Sequence, residues 1–158
     1  MSPAEGFEEL HRQVAERLTP AGQLYTSGRR RLVELLAGVD RPVTIPELLT
    51  GQPGIAVSSA YRNLAVLEQA GAVSRITSSG EHARFELAEA VVGEHHHHLI
   101  CTSCGRVDDF VVPPRVERTL ERALAEVVAD SAFTASTHRL DLGGSCGDCS
   151  AAAGAATG

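Results

Sequence analysis

The stretch "EHHHHLICTSCG", from Glu94 to Gly105, places four consecutive histidines before a short apolar segment and two cysteines separated by two residues. The apolar segment predicts a β-strand that runs from the histidines into a turn carrying the cysteine pair. An internal histidine run that continues into a strand and a cysteine pair is not typical of a purification tag. The stretch therefore indicates a metal-binding domain in the second half of the chain.

A second pair, "CGDC", completes the four cysteines of the 158-residue chain. Two CxxC pairs are a common ligand set for structural zinc, because each tight turn points two sulfurs at one tetrahedral centre. Disulfides and a redox-active CxxC are the alternatives, and the reducing cytoplasm disfavours the disulfides. We expect Zn²⁺ to be held by the following residues: Cys101, Cys104, Cys146 and Cys149.

The four histidines are expected to serve two different sites. Side chains alternate between the faces of a strand, so His95 and His97 point to one side while His96 and His98 point to the other. Imidazole is a ligand for zinc, iron, nickel and copper, and neither pair completes a coordination shell alone. The candidates for the remaining ligands are Glu86, His82, Glu117 and His138.

The first half of the chain shows helical periodicity followed by a hairpin pattern. After a helix at "GFEELHRQVAERL", the segments "SGRRRLVELLAG", "TIPELL" and "VSSAYRNLAVLEQAG" predict three more. Thr44 and Glu47 have the spacing of a capping box, and Ser58 is the expected N-cap of the last helix. The next segment, "AVSRITSSGEHARFEL", predicts two strands around a turn. Three helices and a β-hairpin indicate a winged helix-turn-helix, with an unrelated α/β fragment as the alternative.

The last of these helices has a polar face suited to reading DNA. Ala60, Leu64 and Leu67 form its apolar side, and the opposite side carries Ser59, Arg62 and Asn63. A helix face that is merely solvated is the alternative.

The net charge of −6 is unevenly distributed along the chain. Residues 1–87 hold nine Arg against ten acids and residues 88–158 five against ten, so most of this charge is C-terminal. All fourteen basic residues are arginine, which suits phosphate contacts, and the net charge therefore does not exclude DNA binding.

The pattern divides the chain into four regions within an α+β fold class. Residues 1–87 form the predicted winged-helix domain, and residues 88–94, "AEAVVGE", a hinge. Residues 95–149 predict an α/β domain: strands at "HHHHLIC" and "RVDDFVV", a helix ending near Val128, and a strand at "FTASTHRLDL". Residues 150–158 are small and polar, and we expect them to be disordered.

Composition excludes several classes of protein. No apolar run approaches the ~20 residues of a membrane span, and no signal peptide is apparent, so a cytoplasmic protein is expected. A zinc hydrolase is disfavoured because four clustered thiolates leave no open coordination position, and the HxE…PCxxC pattern of zinc deaminases is missing. A metal buffer or chaperone would not need the N-terminal winged helix. We therefore expect a regulator rather than an enzyme.

Taken in order, these motifs resemble the ferric uptake regulator family of metal-dependent repressors over residues 21–149. The resemblance is carried by "YTSGRRRLVELL", "SSAYRNLAVLEQAGAV", "RFEL", "HHHHLICTSCG" and "HRLDLGGSCGDC". It implies a winged-helix DNA-binding domain, a hinge and a C-terminal α/β dimerisation domain. It also implies a homodimer that represses metal homeostasis genes by binding a double-stranded, palindromic operator.

The resemblance also assigns residues to sites. It implies structural zinc at the four cysteines, and a second site at His95, His97, Glu117 and His138. Glu86, His96 and His98 match a regulatory site at the hinge, where His82 is a further candidate. Tyr61 and Arg62, with the preceding Ser58 and Ser59, match the positions where the family's recognition helix meets DNA. Asn63, on the same polar face, is a further candidate, and we expect Arg29 and Arg30 to contact the DNA backbone.

The regulatory metal is expected to be Zn²⁺ or Fe²⁺, and zinc is favoured because His97 stands where iron-sensing members often carry Asp. Nickel is a further alternative. The chain departs from the iron regulators at Pro42, where they usually have a histidine, and from the zinc regulators at Ser74, where they often have Asp. Glu86 and Glu117 stand where peroxide-sensing members typically have Asp, which disfavours peroxide sensing.

Overall fold

The N-terminal half folds into helices that pack on a small antiparallel sheet. The structure, a computed structural model, describes residues 3–77 and 83–155. Helices α1 (Pro3–Leu18) and α2 (Ser27–Ala37) flank a 3₁₀ turn, and strand β1 (Val43–Thr44) leads into α3 (Ile45–Leu48) and α4 (Val57–Gln69). Strands β2 (Val73–Ile76) and β3 (Arg84–Leu87) complete the sheet, whose order is β1-β3-β2. This is the winged helix-turn-helix that the sequence predicts.

The core of this half is built from the predicted apolar faces. Leu32 and Leu36 of α2 pack with Leu64 and Leu67 of α4, and Phe85 of β3 closes the core from the sheet. Burying such side chains stabilises the fold by about 1.5–3 kcal/mol each. The helices therefore hold a rigid platform on which the exposed face of α4 is displayed.

Two local predictions about helix starts have different outcomes. The capping box is confirmed, since Thr44 accepts a hydrogen bond from the Glu47 N–H and the Glu47 carboxylate accepts one from the Thr44 N–H. The prediction of Ser58 as the N-cap of α4 is wrong. The N-cap is Ala56, whose extended backbone precedes a helix that already includes Val57 and Ser58.

The C-terminal half contains a three-stranded mixed sheet and two longer helices. A short helix, α5 (Glu89–Val92), precedes strands β4 (His97–Cys101) and β5 (Val107–Phe110). Helix α6 (Pro114–Val128) leads to β6 (Asp141–Gly144) and α7 (Gly147–Ala155). The sheet order is β5-β4-β6, with β5 antiparallel and β6 parallel to β4. The predicted β-α-β arrangement is therefore present.

Two boundaries in this half differ from the sequence prediction. The last strand begins only at Asp141, where the paired register with β4 starts. The segment proposed as a hinge, residues 88–94, contains α5. The predicted disorder of the tail is wrong as far as Ala155, because an alanine-rich helix continues from the second cysteine pair. In the described ranges, no helix combines the length and apolarity needed to cross a membrane.

Candidate metal centres

The four cysteines meet where β4 and β6 end. The parallel pairing sets Cys101 opposite Gly144, so the chain after β6 brings Cys146 and Cys149 to the turn that carries Cys104. The four sulfurs lie within 4.8 Å of one another, and the Cys104 and Cys146 Sγ atoms are 3.8 Å apart. None of these described cysteines is in a disulfide. The arrangement matches a tetrahedral thiolate site.

The acid–base chemistry of this cluster fits a bound cation. Backbone N–H groups of Cys104, Cys146 and Ser103 point at the Cys101 sulfur and lower its pKa to about 6. Hydrogen bonds with Cys146, Cys104 and Cys101 instead raise the pKa of Cys149 to about 12. Cys101 therefore forms a thiolate readily, whereas Cys149 resists losing its proton. A divalent cation removes that resistance, as expected for zinc ligands.

The second cluster lies inside the C-terminal half, on one face of the β4 segment. His97 is 1% exposed, and its Nε2 lies 2.9 Å from Glu117 Oε2 on α6. His138 Nε2 lies 2.8 Å from Glu117 Oε1, and His95 Nε2 lies 3.3 Å from His138 Nε2. The structure thus brings together all four residues predicted for this site.

The polar atoms of this second cluster are poorly satisfied without a cation. Glu117 Oε1 is buried and accepts no well-aligned hydrogen bond, although the Nε2 atoms of His138 and His95 lie 2.8 and 3.3 Å away. The hydrogen bond from His97 lowers the pKa of Glu117, so this group remains a carboxylate. Three imidazoles and one carboxylate that converge in this way fit a divalent transition metal.

The third cluster spans the two halves of the protein. Glu86 is on β3, and its side chain is 11% exposed. Its two oxygens lie 3.2 Å from His96 Nε2 and 3.2 Å from His98 Nε2. His96 and His98 occupy the face of the β4 segment opposite His95 and His97, as strand alternation predicts.

Asp109 joins this third cluster and was missed by the sequence analysis. It lies on β5 directly across from His98, and its Oδ1 is 3.9 Å from His98 Nε2. Burial and the negative charge of Glu86 raise the pKa of Asp109. The register of the β4–β5 hairpin was the signal that could have found it, since "RVDDF" follows the histidine strand after a short turn. The other predicted ligand, His82, lies outside the described residues.

Carboxylates behind the histidines fix which ring nitrogen faces each cluster. Glu89 Oε2 lies 2.9 Å from His95 Nδ1, and Asp141 Oδ1 lies 3.2 Å from His98 Nδ1. In both rings Nε2 is therefore left to face the other ligands, as in metal-bound histidines. Burial alone would lower the pKa of His98, but the hydrogen bond to Glu86 and the charges around it raise the value.

Some of the predicted DNA-contacting side chains of α4 face solvent, whereas others make contacts within the protein. Ser58, Tyr61 and Arg62 are exposed, and Arg62 donates to the Ser59 hydroxyl at 3.2 Å. Asn63 is half-buried and donates back to the Ser59 carbonyl, so its amide serves the helix itself. The exposed face of α4 thus presents hydroxyl, phenol and guanidinium groups to solvent.

The two arginines at the start of α2 are held by their neighbours. Arg29 donates to the Leu24 carbonyl and to Gln23 Oε1. Arg30 lies over the ring of Tyr25, with 5.0 Å between the guanidinium carbon and the ring centroid. Arg30 is exposed and presents its charge to solvent at the start of α2, whereas Arg29 holds the segment before α2.

Comparison with known proteins places these features in one family. The sequence model described as "Ferric uptake regulator family" matches residues 21–143. The "Ferric uptake regulation protein" of Legionella pneumophila is 30% identical over 142 residues, which cover 87% of this chain and 98% of that protein. The "Peroxide operon regulator" of Bacillus subtilis (strain 168) is 31% identical, covering 88% of this chain and 92% of that protein. The ferric uptake regulator structure from Vibrio cholerae is 29% identical with a TM-score of 0.64, covering 83% and 98% of the two chains.

Proposed function

The chain belongs to the ferric uptake regulator family, and from that premise we propose that it is a zinc-sensing repressor whose metal-loaded homodimer binds a palindromic DNA operator. Members of this family are metal-responsive, DNA-binding, dimeric transcription regulators and are not enzymes. The choice of metal, the operator and the roles of individual residues are the parts that we propose for this protein.

One observation carries the proposal: the third cluster takes its ligands from both halves of the molecule. Glu86 belongs to the winged-helix half, while His96, His98 and Asp109 belong to the C-terminal half. A divalent cation bound there would supply positive charge shared by ligands from both halves. Glu86 would then be held against the two histidines, and β3 would be fixed relative to β4.

Fixing β3 would also fix α4, because the two pack in one core through Phe85, Leu64 and Leu67. In a dimer, two α4 helices held in this way would present Ser58, Tyr61 and Arg62 to successive major grooves. The coupling needed is about 1–3 kcal/mol, which corresponds to an affinity change of about 5–150-fold. The Vibrio cholerae relative is described as showing structural rearrangement of its DNA-binding domains, in keeping with movable domains.

An exposed apolar face on α6 supports dimerisation through the C-terminal half. Val116, Leu120, Leu124 and Val127 follow helical spacing, and Val116 and Val127 are 44% and 78% exposed. Phe133 is a further exposed apolar side chain in the segment after this helix. Solvent-facing apolar residues in such number are typical of a surface covered by a partner. A second copy of the chain is the partner that the family implies.

The donor chemistry favours zinc. The second cluster offers three imidazole nitrogens and one carboxylate, and the third offers two of each. Both sets provide four donors, the number that zinc prefers. Iron sensing is the second candidate, because histidine–carboxylate sets also bind Fe²⁺ and the Legionella pneumophila relative is named for ferric uptake. We assign the cysteine cluster to structural zinc and the third cluster, Glu86, His96, His98 and Asp109, to metal sensing, and we call it the sensing cluster.

The proposal is tested by measuring DNA binding at buffered concentrations of Zn²⁺, Fe²⁺, Mn²⁺ and Ni²⁺. Operator sequences are first selected from random DNA by the metal-loaded protein. Zinc is expected to tighten binding at the lowest metal concentration, and a chelator is expected to reverse the effect. If iron acts first, the iron alternative is correct. If no metal changes DNA binding although metal is bound, the protein is a metal buffer instead.

A further inference from the structure

Strand β3 makes a second polar connection to the C-terminal half. Arg84 and Glu86 are two residues apart, so they share one face of the strand, whereas Phe85 faces the N-terminal core. Glu86 reaches the third cluster. Arg84 instead reaches Gly105, in the turn that follows Cys104 and leads into β5.

The Arg84 guanidinium is nearly enclosed, with 10% of the side chain exposed. Its Nε donates to the Gly105 carbonyl at 2.7 Å. Its Nη1 donates to Glu47 Oε2 at 2.8 Å and to the Pro42 carbonyl at 3.4 Å. A single buried side chain therefore holds the start of α3 and the cysteine turn at the same time.

The acceptor on the cysteine turn is fixed by the turn itself. Gly105 is buried, has a left-handed backbone with φ of +72°, and donates its N–H to the Cys101 carbonyl at 2.9 Å. This conformation favours glycine and orients the carbonyl towards Arg84. The position of the acceptor thus depends on the turn that carries Cys101 and Cys104.

We propose that Arg84 is a positioning residue that clamps the winged-helix half to the cysteine turn and thereby pre-aligns Glu86 with His96 and His98. The sensing cluster and the hinge, whose Val91 packs in the N-terminal core, would still leave β3 and the cysteine turn able to move relative to each other. A second attachment, made by Arg84 at another point of the same strand face, removes most of that freedom. The clamp needs no sensed metal, so it lowers the ordering cost when that metal binds.

The effect on DNA binding rests on the proposed function, whereas the clamp itself does not. Its loss is expected to weaken binding of the sensed metal, because the ligands from the two halves are then less well pre-aligned. By thermodynamic linkage, the affinity for DNA of the metal-loaded protein should fall as well.

Arg41 provides a matched control. It donates to the same two groups of the N-terminal half, the Pro42 carbonyl at 3.3 Å and the Glu47 carboxylate at 3.2 Å. Within residues 3–77 and 83–155, Arg41 makes no hydrogen bond to Gly105. A purely local role for Arg84 in holding Glu47 would therefore be shared by Arg41, whereas a clamping role would not.

The experiment compares Arg84→Met, Arg84→Lys and Arg41→Met in the full-length, zinc-containing protein. Amide hydrogen exchange is followed by mass spectrometry in segments 102–106 and 88–94, without DNA, and zinc binding to the sensing cluster is titrated in parallel. Arg84→Met is expected to exchange about tenfold faster or more in segment 102–106, because the hydrogen bond of a charged group to Gly105 is lost. Exchange in segment 88–94 should also rise, because the two halves are then free to move relative to each other. It should also bind the sensed zinc several-fold more weakly. Arg41→Met should match the wild type in both measurements.

Arg84→Lys keeps a cation for Glu47 but lacks the geometry to serve Glu47 and Gly105 together. It should therefore show faster exchange in segment 102–106 even if Arg84→Met fails to fold. Equal exchange in the Arg84 and Arg41 variants, or wild-type exchange in Arg84→Lys, would overturn the clamp. Failure of the wild type to bind DNA with any metal would overturn the proposed function and leave the exchange result to decide on Arg84.

Discussion

The two histidine clusters share one strand segment but differ in which parts of the molecule they join. His95 and His97 meet Glu117 and His138, all from the C-terminal half. His96 and His98 meet Glu86, which comes from the winged-helix half. A metal in the second cluster can stiffen one domain, whereas a metal in the third cluster can change how the two domains are oriented. Under the proposed function, the alternation of a single strand therefore separates a structural role from a sensing role.

The cysteine cluster differs from both, since it closes the end of the sheet rather than either face. The largest effect is expected from Cys101→Ser, which removes the thiol whose pKa is lowered to about 6 by the surrounding N–H groups. Structural zinc contributes about 10–16 kcal/mol of apparent binding energy in small zinc domains, so the loss of several kcal/mol should unfold the C-terminal half. Zinc stoichiometry and thermal unfolding measure this. Ser103→Ala, in the same turn, is the control, and a stable, zinc-free Cys101→Ser dimer would contradict the structural role.

The comparison of the two histidine pairs is tested next by His96→Ala and His95→Ala. His96→Ala should remove the metal-dependent gain in operator affinity, about 5–150-fold, while the dimer remains folded. His95→Ala should keep that gain and lower the stability of the C-terminal half. DNA binding by fluorescence anisotropy and dimerisation by analytical ultracentrifugation distinguish the two. Equal loss of metal response in both variants would mean that the two clusters do not have separate roles.

Asp109→Asn tests the ligand that the sequence analysis did not identify. Removing a residue that only orients a metal ligand typically weakens metal binding by about 10–100-fold. Loss of Asp109, a direct ligand, should weaken zinc binding at the sensing cluster by at least as much. Asp108→Asn is the matched control, since Asp108 pairs with Arg106 at 2.9 Å instead. Competition with a fluorescent zinc chelator gives both affinities. If the two variants bind zinc equally well, Asp109 is not a ligand.

A smaller effect is expected at Glu89, which contacts residues of both histidine pairs. Its carboxylate accepts from His95 Nδ1 at 2.9 Å and from the His96 backbone N–H at 3.1 Å. Glu89→Ala should weaken metal binding at the second cluster by about tenfold, because the His95 ring loses its orientation. Glu94→Ala, a nearby exposed carboxylate, should have no effect. Cobalt absorption spectra report the site directly, and unchanged spectra and affinity in Glu89→Ala would count against this orienting role.

Local rules account for much of what the sequence predicts correctly. The period of a strand sorts four adjacent histidines onto two faces, and capping-box spacing locates the start of α3 at Thr44. The two CxxC pairs come together because β6 runs parallel to β4. The residues missed were those that depend on pairing register, such as Asp109, or on a turn between domains, such as Arg84 with Gly105. Contacts of this kind are set by tertiary packing, which no single segment encodes.

Under the proposed function, Glu86 carries the metal signal from the C-terminal half to the DNA-binding half. The most direct test is the operator affinity of wild type and Glu86→Gln, measured by fluorescence anisotropy over a range of buffered Zn²⁺ concentrations. Glutamine keeps the size of the side chain and removes its charge. The wild type should bind operator more tightly as zinc rises, while Glu86→Gln remains a folded dimer with weak, zinc-independent binding. A Glu86→Gln protein with the zinc response of the wild type would contradict the account.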